Sequence, residues 1–87
     1  MATTTKNVLV TGAWKAIPFL LVSNASQTTV EFWASGTTPT SSDVGHPMAP
    51  GKGFNYSVFE DATVVVYFRS TQIEALLTVT ESVWVMS

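Results

Sequence analysis

Apolar and polar residues alternate in short runs along this chain, and turn formers separate the runs. Val8-Leu9-Val10-Thr11 reads as a strand stopped by Gly12, and Pro18 to Ser23 as a second that ends at Asn24-Ala25-Ser26. Thr28 to Ala34 is a third. Its Val30 and Phe32 fall on one face and its Thr29, Glu31 and Trp33 on the other, because successive strand side chains point to opposite sides. Phe54 to Val58 alternates as a fourth. Val64 to Arg69 is an apolar run closed by arginine, the pattern of a central strand covered on both faces. Ile73 to Thr80 places Ile73, Ala75, Leu77 and Val79 inward, and Val83 to Met86 is a short last strand. No window gathers enough Ala, Leu, Glu and Lys for a helix. Short strands at roughly 8–12-residue spacing predict an all-β domain, a small antiparallel β-sandwich or partly open barrel of about 6–7 strands. The domain is expected to span residues 1–87, with a short polar N-terminal arm over about residues 1–6.

Two turns carry information. Ser35 to Asp43 is a long polar stretch rich in turn formers and predicts a protruding, mobile loop. Ala49-Pro50-Gly51-Lys52-Gly53 predicts a tight turn feeding the Phe54 strand. Proline presets the first central position, and glycine accepts the positive φ that a type II turn needs at the second.

The alternation leaves large side chains outside. With Val30 and Phe32 inward, Trp33 points out; with Val83 and Val85 inward, Trp84 and Met86 point out. Phe59 follows an inward Phe54, Tyr56 and Val58, and Leu9 and Leu76 obey the same logic. Trp33, Phe59, Leu76, Trp84 and Met86 are therefore the candidate interface residues. Coverage by a loop or second sheet, a subunit interface, and a sugar-stacking tryptophan platform all fit the pattern.

Composition sharpens this. The chain has 87 residues, no cysteine, one histidine and a formal charge of −2. A domain this small has a marginal core, and such domains often add disulfides, a metal or partner subunits. Disulfides are impossible, and a lone His46 does not make a structural zinc site. Oligomerisation remains. Four basic residues make a nucleic-acid surface improbable on charge grounds, and the longest apolar run, Ala16 to Val22, contains Pro18 and is too short to span a membrane. The N-terminus lacks the blocks of a signal peptide, so the chain reads as made in a cytoplasm, and Asn24 and Asn55, though each heads a glycosylation sequon, read as turn or strand-edge residues.

Catalytic chemistry is thinly represented. His46 lies in Val44-Gly45-His46-Pro47-Met48 with only Asp43 near it, and reads as a turn residue. Glu60-Asp61 reads as a solvated turn, and Asp43, Glu60 and Asp61 lack the spacing of an EF-hand calcium loop. No phosphate-binding glycine loop, nucleophile elbow or zincin motif appears. The expectation is a protein that is not an enzyme and carries no cofactor or metal.

One further pattern runs from Lys15 to Glu81. It opens with Ala16-Ile17-Pro18-Phe19 and Val22-Ser23-Asn24, then Thr29-Val30-Glu31-Phe32. A loop with Thr38-Pro39-Thr40 follows, then Gly45-His46-Pro47-Met48-Ala49-Pro50-Gly51-Lys52-Gly53-Phe54. Val65-Val66-Tyr67-Phe68-Arg69-Ser70 and Leu77-Thr78-Val79-Thr80-Glu81 complete it. This order resembles the small all-β virion proteins encoded among the structural genes of tailed bacteriophages, of the head decoration or head-fibre type. The resemblance implies a capsid decoration or cement protein located in the virion. Its implied partners are the major capsid protein and copies of itself, with a homotrimer favoured. A tail, connector or fibre component and a carbohydrate-binding host-recognition module are the alternatives, and a cupin-type enzyme subunit is more remote.

Overall fold

The computed structural model describes residues 2–58 and 64–83. Eight strands among them form two separate four-stranded sheets, every pairing antiparallel. Sheet A contains β1 (Ala2–Thr11), β8 (Glu74–Val83), β3 (Leu21–Asn24) and β6 (Gly53–Asn55), in that order across the sheet. Sheet B contains β2 (Lys15–Ala16), β7 (Tyr67–Ser70), β4 (Val30–Trp33) and β5 (His46–Met48). No strand is shared, so the fold is a sandwich and not a closed barrel.

The inner faces follow the alternation. Val10, Val22, Leu77 and Val79 of sheet A and Val30, Met48 and Phe68 of sheet B are buried against one another. Such side chains contribute roughly 1.5–3 kcal/mol each on burial. Phe19, on the segment between β2 and β3, stands edge-on to Phe54, Tyr56 and Phe68 at 5.4, 5.3 and 5.6 Å between ring centres. It belongs to the buried core cluster.

Asn24 is the polar exception inside, 1% exposed. Its Nδ2 donates to the carbonyls of Thr28 (2.7 Å) and Met48 (3.0 Å), and its Oδ1 accepts from the backbone N–H and the hydroxyl of Ser26. Its backbone binds the next turn: Gly51 N–H donates to Asn24 O and Asn24 N–H to Lys52 O. That turn is type II as expected, with Lys52 N–H bonded to Ala49 O and Gly51 at φ 78°. A buried carboxamide with all its polar atoms satisfied ties one sheet to the other. Asn24 thus ends β3 and opens a turn, as its sequence context suggests, but does so from inside the core.

Other elements depart from the sequence reading. Ala2–Lys6 is not a separate arm; it is the first half of β1, paired with Val79–Val83. The same pairing carries β8 unbroken through Glu81 and Ser82, where the sequence suggested a gap between two strands. Within Val64 to Arg69 only Tyr67 onward is strand; Val66 is buried and Val65 is 51% exposed, so the run has one core face. Ile73 is 86% exposed in the bend before β8. The Tyr56–Val58 end of the fourth predicted strand is a 3-10 turn, its Tyr56 hydroxyl donating to Val64 O. His46-Pro47-Met48 is not a turn but strand β5, where proline is tolerated because the strand lies at the sheet edge.

Candidate functional site

The outer faces of the two sheets are treated differently. Sheet B carries Glu31 and Trp33 on β4 opposite Arg69 and Tyr67 on β7. The segment of residues 34–45 lies over this face. Arg69 holds it: Nε donates to Glu31 Oε1 at 2.7 Å, Nη1 to Ser41 O at 3.0 Å and Nη2 to Asp43 O. The guanidinium also stacks 4.3 Å above the centre of the Trp14 ring. Trp14 Nε1 donates to Thr40 O and Trp33 Nε1 to Thr37 O, and the two indoles sit 6.3 Å apart. The Asp43 carboxylate closes the loop internally on Thr40 N–H at 2.7 Å, and Pro39 is buried beneath it. The loop predicted to protrude is therefore folded down. Its composition is polar, but its carbonyls meet the indole N–H groups of Trp33 on β4 and of Trp14 just before β2, and the guanidinium of Arg69 on β7.

Sheet A has no such cover among the described residues. Its outward row is Thr3, Thr5, Asn7, Leu9 and Thr11 on β1, Leu76, Thr78 and Thr80 on β8, and Leu21 and Ser23 on β3. Leu9 is 50% and Leu21 47% exposed, and Leu9 lies directly across from the half-buried Leu76. Hydroxyls fill the space between: Thr5 and Thr80 Oγ1 are 3.0 Å apart, and Thr78 Oγ1 donates to Asn7 Oδ1. The only charge on the paired part of this face is Glu74, opposite Thr11 at its end. Over the described residues this surface is nearly uncharged, with Leu9 and Leu21 half in solvent among threonines.

A groove of about 580 Å³ opens beside sheet B, lined by Phe32, Trp33, Val44, Gly45, His46 and Pro47 among others. His46 is exposed there, its ring 5.4 Å from that of Phe32. Gly45 is required at this point, since a Cβ on it would come within 2.5 Å of the Phe32 carbonyl oxygen, and also close on the Trp14 ring. Among the described residues no three His, Asp or Glu side chains converge on a metal-sized site.

Of the five candidate interface residues, the two that are described lie on different sheets. Trp33 is half-buried under its own loop on sheet B, and Leu76 lies on the bare face of sheet A. Phe59, Trp84 and Met86, like Glu60 and Asp61, lie outside the described residues. Leu21 was missed by the sequence reading, although its exposure follows once Val22 and Asn24 are placed inward. Trp14 and Arg69 were missed as well, and nothing local signals a contact between residues so far apart in the chain. No protein family, curated protein or solved structure matches this chain.

Proposed function

We propose that this protein is a structural component of a tailed-bacteriophage virion that decorates the capsid shell, seated through the outer face of sheet A. One observation carries the choice of face: among the described residues the fold covers sheet B with its own loop and leaves Leu9 and Leu21 half in solvent on sheet A, beside the half-buried Leu76. The resemblance supports the class of protein. Within the motif order that carries it, the strand-ending Asn24 and the Ala49-Pro50-Gly51 turn form one hydrogen-bonded unit in this chain. Decoration suits the surface, because many identical copies convert a weak flat contact into a durable coat by avidity.

The test is rebinding to particles stripped of this protein. A Leu9→Thr/Leu21→Thr variant keeps strand-forming residues while removing apolar area, and should bind at least about tenfold more weakly than the wild type. Equal rebinding would overturn the assignment of the face. Binding confined to tail structures would move the protein to the tail, the second virion reading.

A further inference from the structure

The four sheet edges of this sandwich are not alike. β6 has three residues, β2 has two, and β5 has three with a proline at its centre. Short strands and proline are the usual protection against edge-to-edge pairing. β1 has neither: ten residues, Ala2 to Thr11, with no proline or glycine. Its one charge, Lys6, is drawn back to Glu81 of its own chain at 2.9 Å. Beside it, between Lys6–Leu9 and Lys15–Pro18, runs an open groove of about 380 Å³.

The ladder fixes which β1 groups face outward. Leu76 and Thr80 carbonyls of β8 accept from Ala25 and Leu20 N–H on the β3 side. Backbone groups alternate sides along a strand, so Leu77 and Val79 bond toward β1, where their partners are Val8 and Lys6. The odd-numbered residues Thr3, Thr5, Asn7, Leu9 and Thr11 therefore turn their N–H and C=O groups to the free edge, and no described residue pairs with them.

We propose that β1 pairs antiparallel with β1 of a second copy, about a two-fold axis at Asn7. Pairing must match odd residues with odd ones to keep the two core faces on the same side. Two registers then use nearly all of the strand. The one centred on Lys6 sets two lysines directly opposite, which is unfavourable. The one centred on Asn7 pairs residues 3–11 with 11–3, sets Lys6 opposite Val8 and Thr5 opposite Leu9, and brings the two Asn7 carboxamides together. Asn7 Oδ1 already accepts from Thr78, which leaves its amide hydrogens for Asn7 of the second copy. The product is one continuous eight-stranded sheet, its outer row running Leu21, Thr80, Thr5 and then Leu9, Leu76 of the second copy. An isologous edge contact closes with two copies, so this contact gives a dimer and not the trimer that the resemblance implies. The pairing does not rest on the virion reading.

The chain has no cysteine, so single cysteines report the register cleanly. Across a hydrogen-bonded antiparallel pair Cα atoms are about 5.5 Å apart, within disulfide reach. Oxidised Asn7→Cys protein should run as a covalent dimer, whereas Thr3→Cys should not, its two copies standing roughly 27 Å apart at about 3.4 Å per residue. By sedimentation the wild type should show twice the 9.4 kDa chain mass, and Asn7→Lys should halve it with the circular dichroism unchanged. A monomeric or trimeric wild type, a dimeric Asn7→Lys, or Thr3→Cys crosslinking as readily as Asn7→Cys would overturn the proposal.

Discussion

Asn24 Nδ2 donates to the carbonyl of Met48 at 3.0 Å, a hydrogen bond that crosses from β3 in one sheet to β5 in the other. The same carboxamide organises the Ser26–Thr28 turn, and the same residue's backbone holds the Pro50–Gly51 turn. Replacing it by alanine removes its bonds to the Thr28 and Met48 carbonyls and to Ser26, while Thr28 O keeps the Ser26 hydroxyl. Asn24→Ala should destabilise the fold by about 3 kcal/mol, the loss of several buried hydrogen bonds offset in part by relaxation. Chemical denaturation measures this directly, and a loss under about 1 kcal/mol would show that water takes over the role of the side chain.

Gly51 and Gly53 make different demands on the same segment. Gly51 needs only its positive φ, with open space around a Cβ, so Gly51→Ala should cost about 1 kcal/mol. At Gly53 a Cβ would collide with the Val22 carbonyl and the Ser23 backbone, because β6 lies close on β3. Gly53→Ala should therefore cost more than Gly51→Ala and shift the amide resonances of Val22 and Ser23. The reverse order in denaturation would contradict the close approach.

Arg69 fixes the 34–45 segment through bonds that need a planar fork. Arg69→Lys retains the charge but not the simultaneous reach to Glu31, Ser41 and Asp43. Amides between Ser35 and Asp43 should exchange at least about tenfold faster in this variant, a local loss of about 1.4 kcal/mol or more. Core amides such as Leu77 should change far less. Unchanged loop protection would show that the two indole hydrogen bonds suffice.

The Leu9→Thr/Leu21→Thr protein should match the wild type in stability to within about 0.5 kcal/mol per site, since both side chains are half in solvent and threonine suits strands. Urea denaturation checks it. A large loss would mean that these leucines serve the fold rather than a partner.

Much of this architecture is legible locally. Val10, Val30, Leu77 and Val79 sit where alternation puts them, and the Pro50–Gly51 turn is the type its residues dictate. What was not legible depends on partners distant in sequence. Glu81-Ser82 looks like a break but remains strand because β1 lies alongside it. Ser35 to Asp43 looks free but is held by Trp14, Trp33 and Arg69, the first and last of which are brought together only by the fold. Asn24 reads as turn punctuation, and its burial depends on Met48 and Lys52 arriving from another part of the chain. The bare face was half visible: Leu9 and Leu76 stood on the outer side of their strands, whereas Leu21 required the register of β3.

The most direct measurement is a count of this chain against the major shell protein in purified particles, by quantitative mass spectrometry. Decoration of the capsid predicts a ratio near one or a simple fraction of it. A ratio of a few per cent, or the absence of the chain from the particles, would contradict it.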